Sequence, residues 1–405
     1  MEAPVTSRSP YSPLAARAAK LKSVVMNRIL LLLTALLLAG PAMSQVPEMK
    51  STDAKKLLKG VGNWVLADFA EDPADKLDAR DEVQKALDGL AKKYPGAEVY
   101  RYLDAWGEAL AQRAGKYPKA KGGKLASDET PWGRTLSYWV PKNYKPKDGG
   151  SPLVLWFRDS DLSEDDVAAI PIELQADYVI APVMVPSAEG EELLTAARLS
   201  FFIDFIWLSK QLRIDRNRVY VLADSDHAAI AAKLCALAPH AVAGLSIVGE
   251  EGDLPAENMA MIAMNKSDSL DDAWAWVKDA PVRNPYPTEF SAELMDIQFG
   301  RVHWVHARKF DPSLEGSVAK INVKADRASN TITIDAENVY QVDLYLNDQI
   351  VDLSKPIKIV RNGQEIEVST NAGFMIVLEN YRTTLFDTGT VYPAKYSGID
   401  IPPKE

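Results

Sequence analysis

Cysteine occurs once in the 405 residues, at Cys235, so no disulfide can form within the chain. Its surroundings, the apolar stretch Ala231 to Leu237, suit a buried small hydrophobe. Histidine is nearly as scarce: His227, His240, His303 and His306 are the full set. Any catalysis or metal binding that needs imidazole must therefore draw on these four. An apolar run of about 20 residues, the length that crosses a bilayer, is absent. Basic residues are outnumbered, 46 Lys and Arg against 56 Asp and Glu, giving a net charge of −10. An acidic surface repels nucleic acid and anionic lipid, which argues against either as a partner.

The start of the chain follows the pattern of a targeting segment. Met26-Asn27-Arg28 is a short basic start, Ile29 to Ala39 an apolar core, and Ala42-Met43-Ser44 a small-residue cleavage site before Gln45. Residues 1–25 are basic and patternless, which points to Met26 as the functional start. The expectation is a signal segment over 1–44 and a secreted or periplasmic protein with no membrane span after cleavage. Residues 1–44 carry five basic side chains and one acidic, so their removal leaves a charge near −14.

The remainder divides into three regions by pattern. Residues 45–130 are helical at first: Leu57, Leu58, Val61, Val65, Leu66 and Phe69, then Val83, Leu87 and Leu90, recur at helical spacing. Pro95-Gly96 interrupts the run and Val99, Leu103, Trp106 and Leu110 resume it. This predicts an N-terminal helical cap, with Lys116 to Asp128 as a linker. Residues 131–298 alternate strands and helices. Leu136–Val140, Leu153–Phe157, Tyr178–Val185, Val219–Leu222, Val242–Val248 and Met259–Met264 read as strands, and Glu191–Leu212 as a long helix. Such alternation implies a mostly parallel sheet covered on both faces. Residues 299–405 lose helical periodicity and read as short strands, including Val302–Val305 and Phe374–Leu378, with Asn362-Gly363 as a hairpin turn. They predict an all-β, sandwich-like module.

Within the middle region, Val219 to Ala232 places an apolar strand, Ser225 and an alanine-rich helix in succession. That is the layout of the G-x-S-x-G nucleophile elbow of α/β-hydrolases. Tyr138-Trp139-Val140-Pro141-Lys142-Asn143-Tyr144 followed by Pro152-Leu153-Val154-Leu155-Trp156, and the approach Ile214-Asp215-Arg216-Asn217-Arg218-Val219-Tyr220, resemble esterase-type members of that fold. The resemblance spans roughly residues 134 to 280. It is to the group of polyhydroxybutyrate depolymerases and dienelactone hydrolases, in secreted versions with a C-terminal β module. Val351 to Ile357 and Arg361-Asn362-Gly363 resemble that module.

The resemblance implies Ser225 as nucleophile and Asp268, in Asn265-Lys266-Ser267-Asp268, as the acid. It also exposes departures. Ala223 and His227 occupy the positions of the two elbow glycines. Phe157-Arg158-Asp159-Ser160 replaces the His-Gly stretch whose backbone helps form the oxyanion hole, and a carboxylate there opposes a developing negative charge. The histidine loop should fall within Pro281 to Phe299, which contains no histidine. Without a base a serine hydroxyl is a weak nucleophile.

The other candidate sites are read as follows. His303 and His306 on one strand would face opposite sides, so no metal site is expected. Ser163 with Asp166, ahead of Val167-Ala168-Ala169-Ile170, fits a helix capping box better than a calcium loop. Ligands of a parallel sheet bind where the C-terminal strand ends meet, and the loops there carry Asp159, Asp161, Asp224, Asp226, Glu250, Glu251, Asp253 and Asp268. Asp159, Asp161, Asp224 and Asp226 are the candidate binding residues of an acidic crevice suited to a cation, an amine or a basic peptide. The expected protein is a hydrolase-fold chain with a degenerate serine site and a binding or structural role, needing no cofactor, its partner a small molecule or envelope component. The alternatives are a serine esterase using Ser225, and a carbohydrate or envelope binder acting through the β module.

Overall fold

The computed structural model describes residues 49–404 except 69–72, 95, 112–116, 118–119, 131–132, 186–194, 251–255 and 312–317. The expected signal segment, 1–44, lies outside the described residues. Met49–Glu405 form one compact unit.

At its centre is a seven-stranded sheet of mixed α/β architecture. The strands are β1 (Lys124–Glu129), β2 (Thr135–Val140), β3 (Ser151–Arg158), β4 (Val179–Met184), β5 (Ile214–Asp224), β6 (Gly244–Val248) and β7 (Ala263–Ser267), in the order β1-β2-β4-β3-β5-β6-β7. β1, β2 and β4 pair antiparallel in turn, while β4, β3, β5, β6 and β7 run parallel to one another. Alternate side chains serve opposite faces. Leu153, Leu155, Phe157, Val219, Val221 and Ala223 join a core with helix α7 (Ala228–Leu237) and the helix ending at Gln211. Val154, Tyr220 and Leu222 join another with α4 (Glu164–Ala169), α5 (Ile172–Asp177) and α9 (Leu270–Asp279). Burial on both faces explains why these strands are continuous apolar runs.

Several expectations need correction. Lys124–Asp128, read as linker, belongs to β1. An edge strand with few buried positions carries no apolar alternation to announce it. The strand expected at Met259–Met264 lies at Ala263–Ser267, because residues Ala256–Met259 close a short helix, α8, and pairing with β6 sets Gly244 opposite Ala263. Within Glu191–Leu212, residues 186–194 being undescribed, Leu199–Asp204 form a π-helical turn before α6 (Phe205–Gln211).

The N-terminal helices α1 (Ser51–Asp68), α2 (Pro73–Ala91) and α3 (Leu103–Ala111) do not roof the C-terminal strand ends. Glu108 pairs with Arg213 at the start of β5, and Arg101 Nε lies 2.9 Å from Asp348. Trp64 and Trp106 pack on Phe374 at ring separations of 5.7 and 5.9 Å. The whole length of β5, roughly 35 Å, separates them from Ser225.

The strand-rich C-terminus begins earlier than residue 299. β8 (Glu289–Leu294) pairs with β11 (Ala319–Asp326) in a five-stranded sheet completed by β12 (Thr331–Glu337), β14 (Ile357–Arg361) and β15 (Gln364–Val368). β9 (Arg301–Val302), β10 (Val305–Phe310), β13 (Val339–Leu346) and β16 (Ala394–Asp400) form a four-stranded sheet. The two sheets share a single apolar core. Asn362-Gly363 makes the expected hairpin turn, with φ of +43° and +86°. Phe374–Leu378 is not a strand. It opens helix α10 (Phe374–Thr383), with Val377, Leu378 and Tyr381 buried at helical spacing, and a five-residue apolar run cannot distinguish the two.

Candidate functional site

Strands β3 and β5 pair with Trp156 opposite Leu222, so the loops that follow them emerge side by side at the sheet's C-terminal end. β5 stops at Asp224, residues 225–227 turn, and α7 starts at Ala228. Alanines at Ala231 and Ala232 are fully buried and let the helix approach the sheet closely. The strand-serine-helix succession is therefore present. Its conformation is relaxed, however. A nucleophile elbow is sharp and strained, whereas none of Asp224, Ser225, Asp226 and His227 has positive φ.

His227, at the second glycine position, organises the turn. Its backbone N–H donates to the Asp224 main-chain oxygen and to Asp224 Oδ1, at 3.2 and 3.1 Å. Its buried ring lies between two carboxylates, Nδ1 2.7 Å from Asp224 Oδ1 and Nε2 3.1 Å from Asp159 Oδ1. Both ring nitrogens are thus engaged, and neither is turned to Ser225. The imidazole ties the β3 loop to the β5 turn across the strand ends.

Ser225 is exposed, and among the described residues no hydrogen bond joins its Oγ to an imidazole. Its close neighbour is Gly249, just past β6. Gly249 has φ of +93°, and a Cβ there would stand 3.6 Å from Ser225 Oγ. The left-handed backbone there favours glycine, and a glycine following an apolar strand is the one signal of this neighbour in the sequence. Asp268 follows β7 as an exposed residue, with no hydrogen bond to a histidine.

The remaining histidines are elsewhere. His240, at the end of α7, and His303 are buried with ring centroids 6.3 Å apart. Burial, with the neighbouring Arg283 and Arg301 guanidinium groups, pushes His303 down to about 3. Burial likewise holds His240 well below its ordinary value, aided by His303, Arg301 and Arg283. His303 and His306 do not share a strand. His303 and Trp304 form the two-residue turn between β9 and β10, His303 at φ of +49°. The single strand expected to carry both histidines is therefore replaced by a turn between two strands.

The β3 loop is held by its own side chains. Arg158 lies over the Trp156 ring and pairs with Asp166 at 2.9 Å. Asp166 closes the expected capping box with Ser163 on α4. Asp161 Oδ1 accepts from the Ser137 and Leu162 backbone N–H groups, at 3.2 and 3.1 Å. Of the four proposed binding carboxylates, Asp159 and Asp224 are therefore engaged by His227 and Asp161 by backbone. Asp226 stands exposed, as does Glu250. Glu251 and Asp253 lie outside the described residues. No group of three metal-binding side chains converges among the described residues; the ring nitrogens of His227 point away from each other and cannot share an ion with both aspartates.

No family model matches the chain, and no curated protein matches it. Among solved structures, the isopeptidase AtxE2 is 18% identical with a TM-score of 0.26, over 32% of this chain and 23% of its own. A bacterial heroin esterase is 15% identical with a TM-score of 0.25, over 40% of this chain and 56% of its own. The thermostable carboxylesterase EstE1 is 14% identical with a TM-score of 0.25, over 44% of this chain and 70% of its own. The chain spans less than two thirds of the length of the first of these relatives. At such values the likenesses carry no functional argument.

Proposed function

We propose that this chain is an exported protein built on an α/β-hydrolase-type scaffold whose serine site no longer performs acyl transfer, and that it serves a binding or structural role. The scaffold reading is supported by the sheet order, with its antiparallel first strands, and by the strand-serine-helix succession after β5. One observation carries the rest: His227, next to Ser225 in space and sequence, has both ring nitrogens on Asp224 and Asp159. A general base must come within about 3 Å of the hydroxyl it activates. Asp159 also sets a carboxylate in the loop that would have to stabilise an oxyanion. The partner is a small molecule or envelope component, and no cofactor is called for.

A fluorophosphonate probe tests this reading, since it labels a serine only when the hydroxyl is activated. The expected outcome is no labelling of the wild type above the Ser225→Ala background. Labelling that Ser225→Ala abolishes would establish the second reading, a serine esterase. That reading draws on the exposure of Ser225. For the acidic crevice, calcium titration by calorimetry tests the cation version. Saturable heat favours a cation site at Asp226 and its neighbours, and a flat trace counts against one.

A further inference from the structure

Away from Ser225 the protein holds a cavity of about 450 Å³ between the end of β4 and the π-helical turn. Met184, Ala196, Leu199 and Ile203 form its apolar walls, and Arg134, Ser200 and Asp204 its polar part. Leu199 is 53% exposed beside it. The π turn itself is unusual, since such turns are rare and recur at functional sites. Here it puts Ser200 and Asp204 on one side. Ser200 Oγ accepts from Met184 N at 3.0 Å and from Arg134 Nη1 at 2.7 Å, and donates to Asp204 at 3.3 Å. Arg134 Nη1 also pairs with Asp204. Ser200 and Asp204 are buried, and one guanidinium nitrogen, Nη2, is buried with no hydrogen-bond partner among the described residues.

Volume, apolar walls and a few converging polar groups are the attributes of a small-molecule site. The charges narrow the ligand. Arg134 and Asp204 neutralise each other, so a carboxylate entering the cavity meets Asp204 and an ammonium meets Arg134. A neutral molecule meets no net opposition from this pair. We propose that this cavity binds a neutral, mainly apolar molecule. Neither Ser225 nor His227 lines the cavity, so the site is independent of any acyl-transfer chemistry.

The test uses the full chain and the neutral fluorophore N-phenyl-1-naphthylamine. Its emission should rise saturably at one molecule per protein. Octan-2-one should displace it at concentrations at least about tenfold lower than octanoate or octylammonium. Ile203→Trp and Ala196→Trp, which fill the cavity from half-buried positions, should each abolish binding while circular dichroism and Tm stay at wild-type values. Arg134→Gln removes the cation and leaves Asp204, so octylammonium should overtake octan-2-one. The proposal is overturned by non-saturable fluorescence, by equal displacement with all three octyl compounds, or by full binding in both folded tryptophan variants.

Discussion

Replacing His227 by alanine is expected to loosen both loops that its ring joins. The imidazole is buried, but its partners Asp159 and Asp224 are 78% and 54% exposed, so solvent screens much of each contact. A loss of about 1–2 kcal/mol in urea denaturation is expected. Faster amide exchange over 159–162 and 224–227 should accompany it; unchanged exchange in both segments would show that the clamp does not hold them. At this scale the sequence revealed the strand-serine-helix succession around Ser225, the absence of histidine from 281–299 and the capping role of Ser163 and Asp166. It did not reveal what His227 does. A helix-start position fixes where the Cα goes, but the ring's partner Asp159 is 68 residues away, brought near only by the pairing of β3 with β5.

At the scale of elements, strand contact distance is the controlling quantity. A Cβ on Gly244 would come within 2.7 Å of Trp276 and 2.9 Å of the Ala263 main-chain oxygen. Gly244→Ala should therefore push β6 away from β7 and cost about 1–3 kcal/mol, seen as a lower Tm; a Tm within a degree of wild type would mean that the helix bearing Trp276 shifts freely. The elements buried on both faces, β3 and β5, were legible because burial imposes an apolar run. Those that went astray, β1, β7 and α10, lack such a signature. β1 is a half-exposed edge, the apolar stretch before β7 spans a helix end, and the run in α10 is too short to fix a period. The π turn had no sequence signal at all, because its extra residue per turn leaves the composition of a helix unchanged.

At the scale of the molecule, a buried ionic knot fastens the strand-rich C-terminus to the central sheet. Asp387 receives both Nη groups of Arg283, at 2.7 and 3.2 Å, with Arg216 4.0 Å away. Arg283 also donates to Asn217, and Arg216 to the Leu385 main-chain oxygen. Burial would raise the Asp387 carboxyl, yet the Arg283 and Arg216 charges hold it below its ordinary value. Leu385 and Phe386 before it have φ of +57° and +59°. Such backbone persists where its surroundings over-determine it, and here the knot and the packing of Leu385 on the sheet's core do so. Asp387→Ala leaves two buried guanidinium groups without their anion and should cost about 3–5 kcal/mol. Unfolding of the wild type should be one transition for sheet and C-terminus together, and separate melting of the two would refute the fastening.

The same junction sets an acid limit. His240 and His303 have folded-state values depressed below the unfolded value of about 6.5. Below that pH the unfolded chain takes up protons that the folded chain refuses. Stability is therefore complete above about pH 6.5 and falls as pH drops, by about 1.4 kcal/mol per pH unit for each histidine. Urea midpoints measured from pH 7.5 to 5.0 should show this slope. His303→Asn, whose side chain tolerates positive φ, should flatten it by one histidine's share, with His240 and the similarly lowered His306 carrying the rest; an unaltered slope would assign the effect to other groups.

What the sequence by itself determined is local or compositional: one cysteine and hence no internal disulfide, buried strands written as apolar runs, the Asn362-Gly363 turn, and a serine between a strand and a helix with no histidine in 281–299. Each follows from chain-neighbour sterics or from burial on both faces. Tertiary structure alone decided that His227 joins its neighbour Asp224 to the distant Asp159, that Gly249 lies beside Ser225, that the N-terminal helices sit at the far end of β5, and that Asp387 lies between Arg216 and Arg283. Those facts depend on which residues of distant sequence are brought within hydrogen-bond range, and that is fixed by strand order and packing.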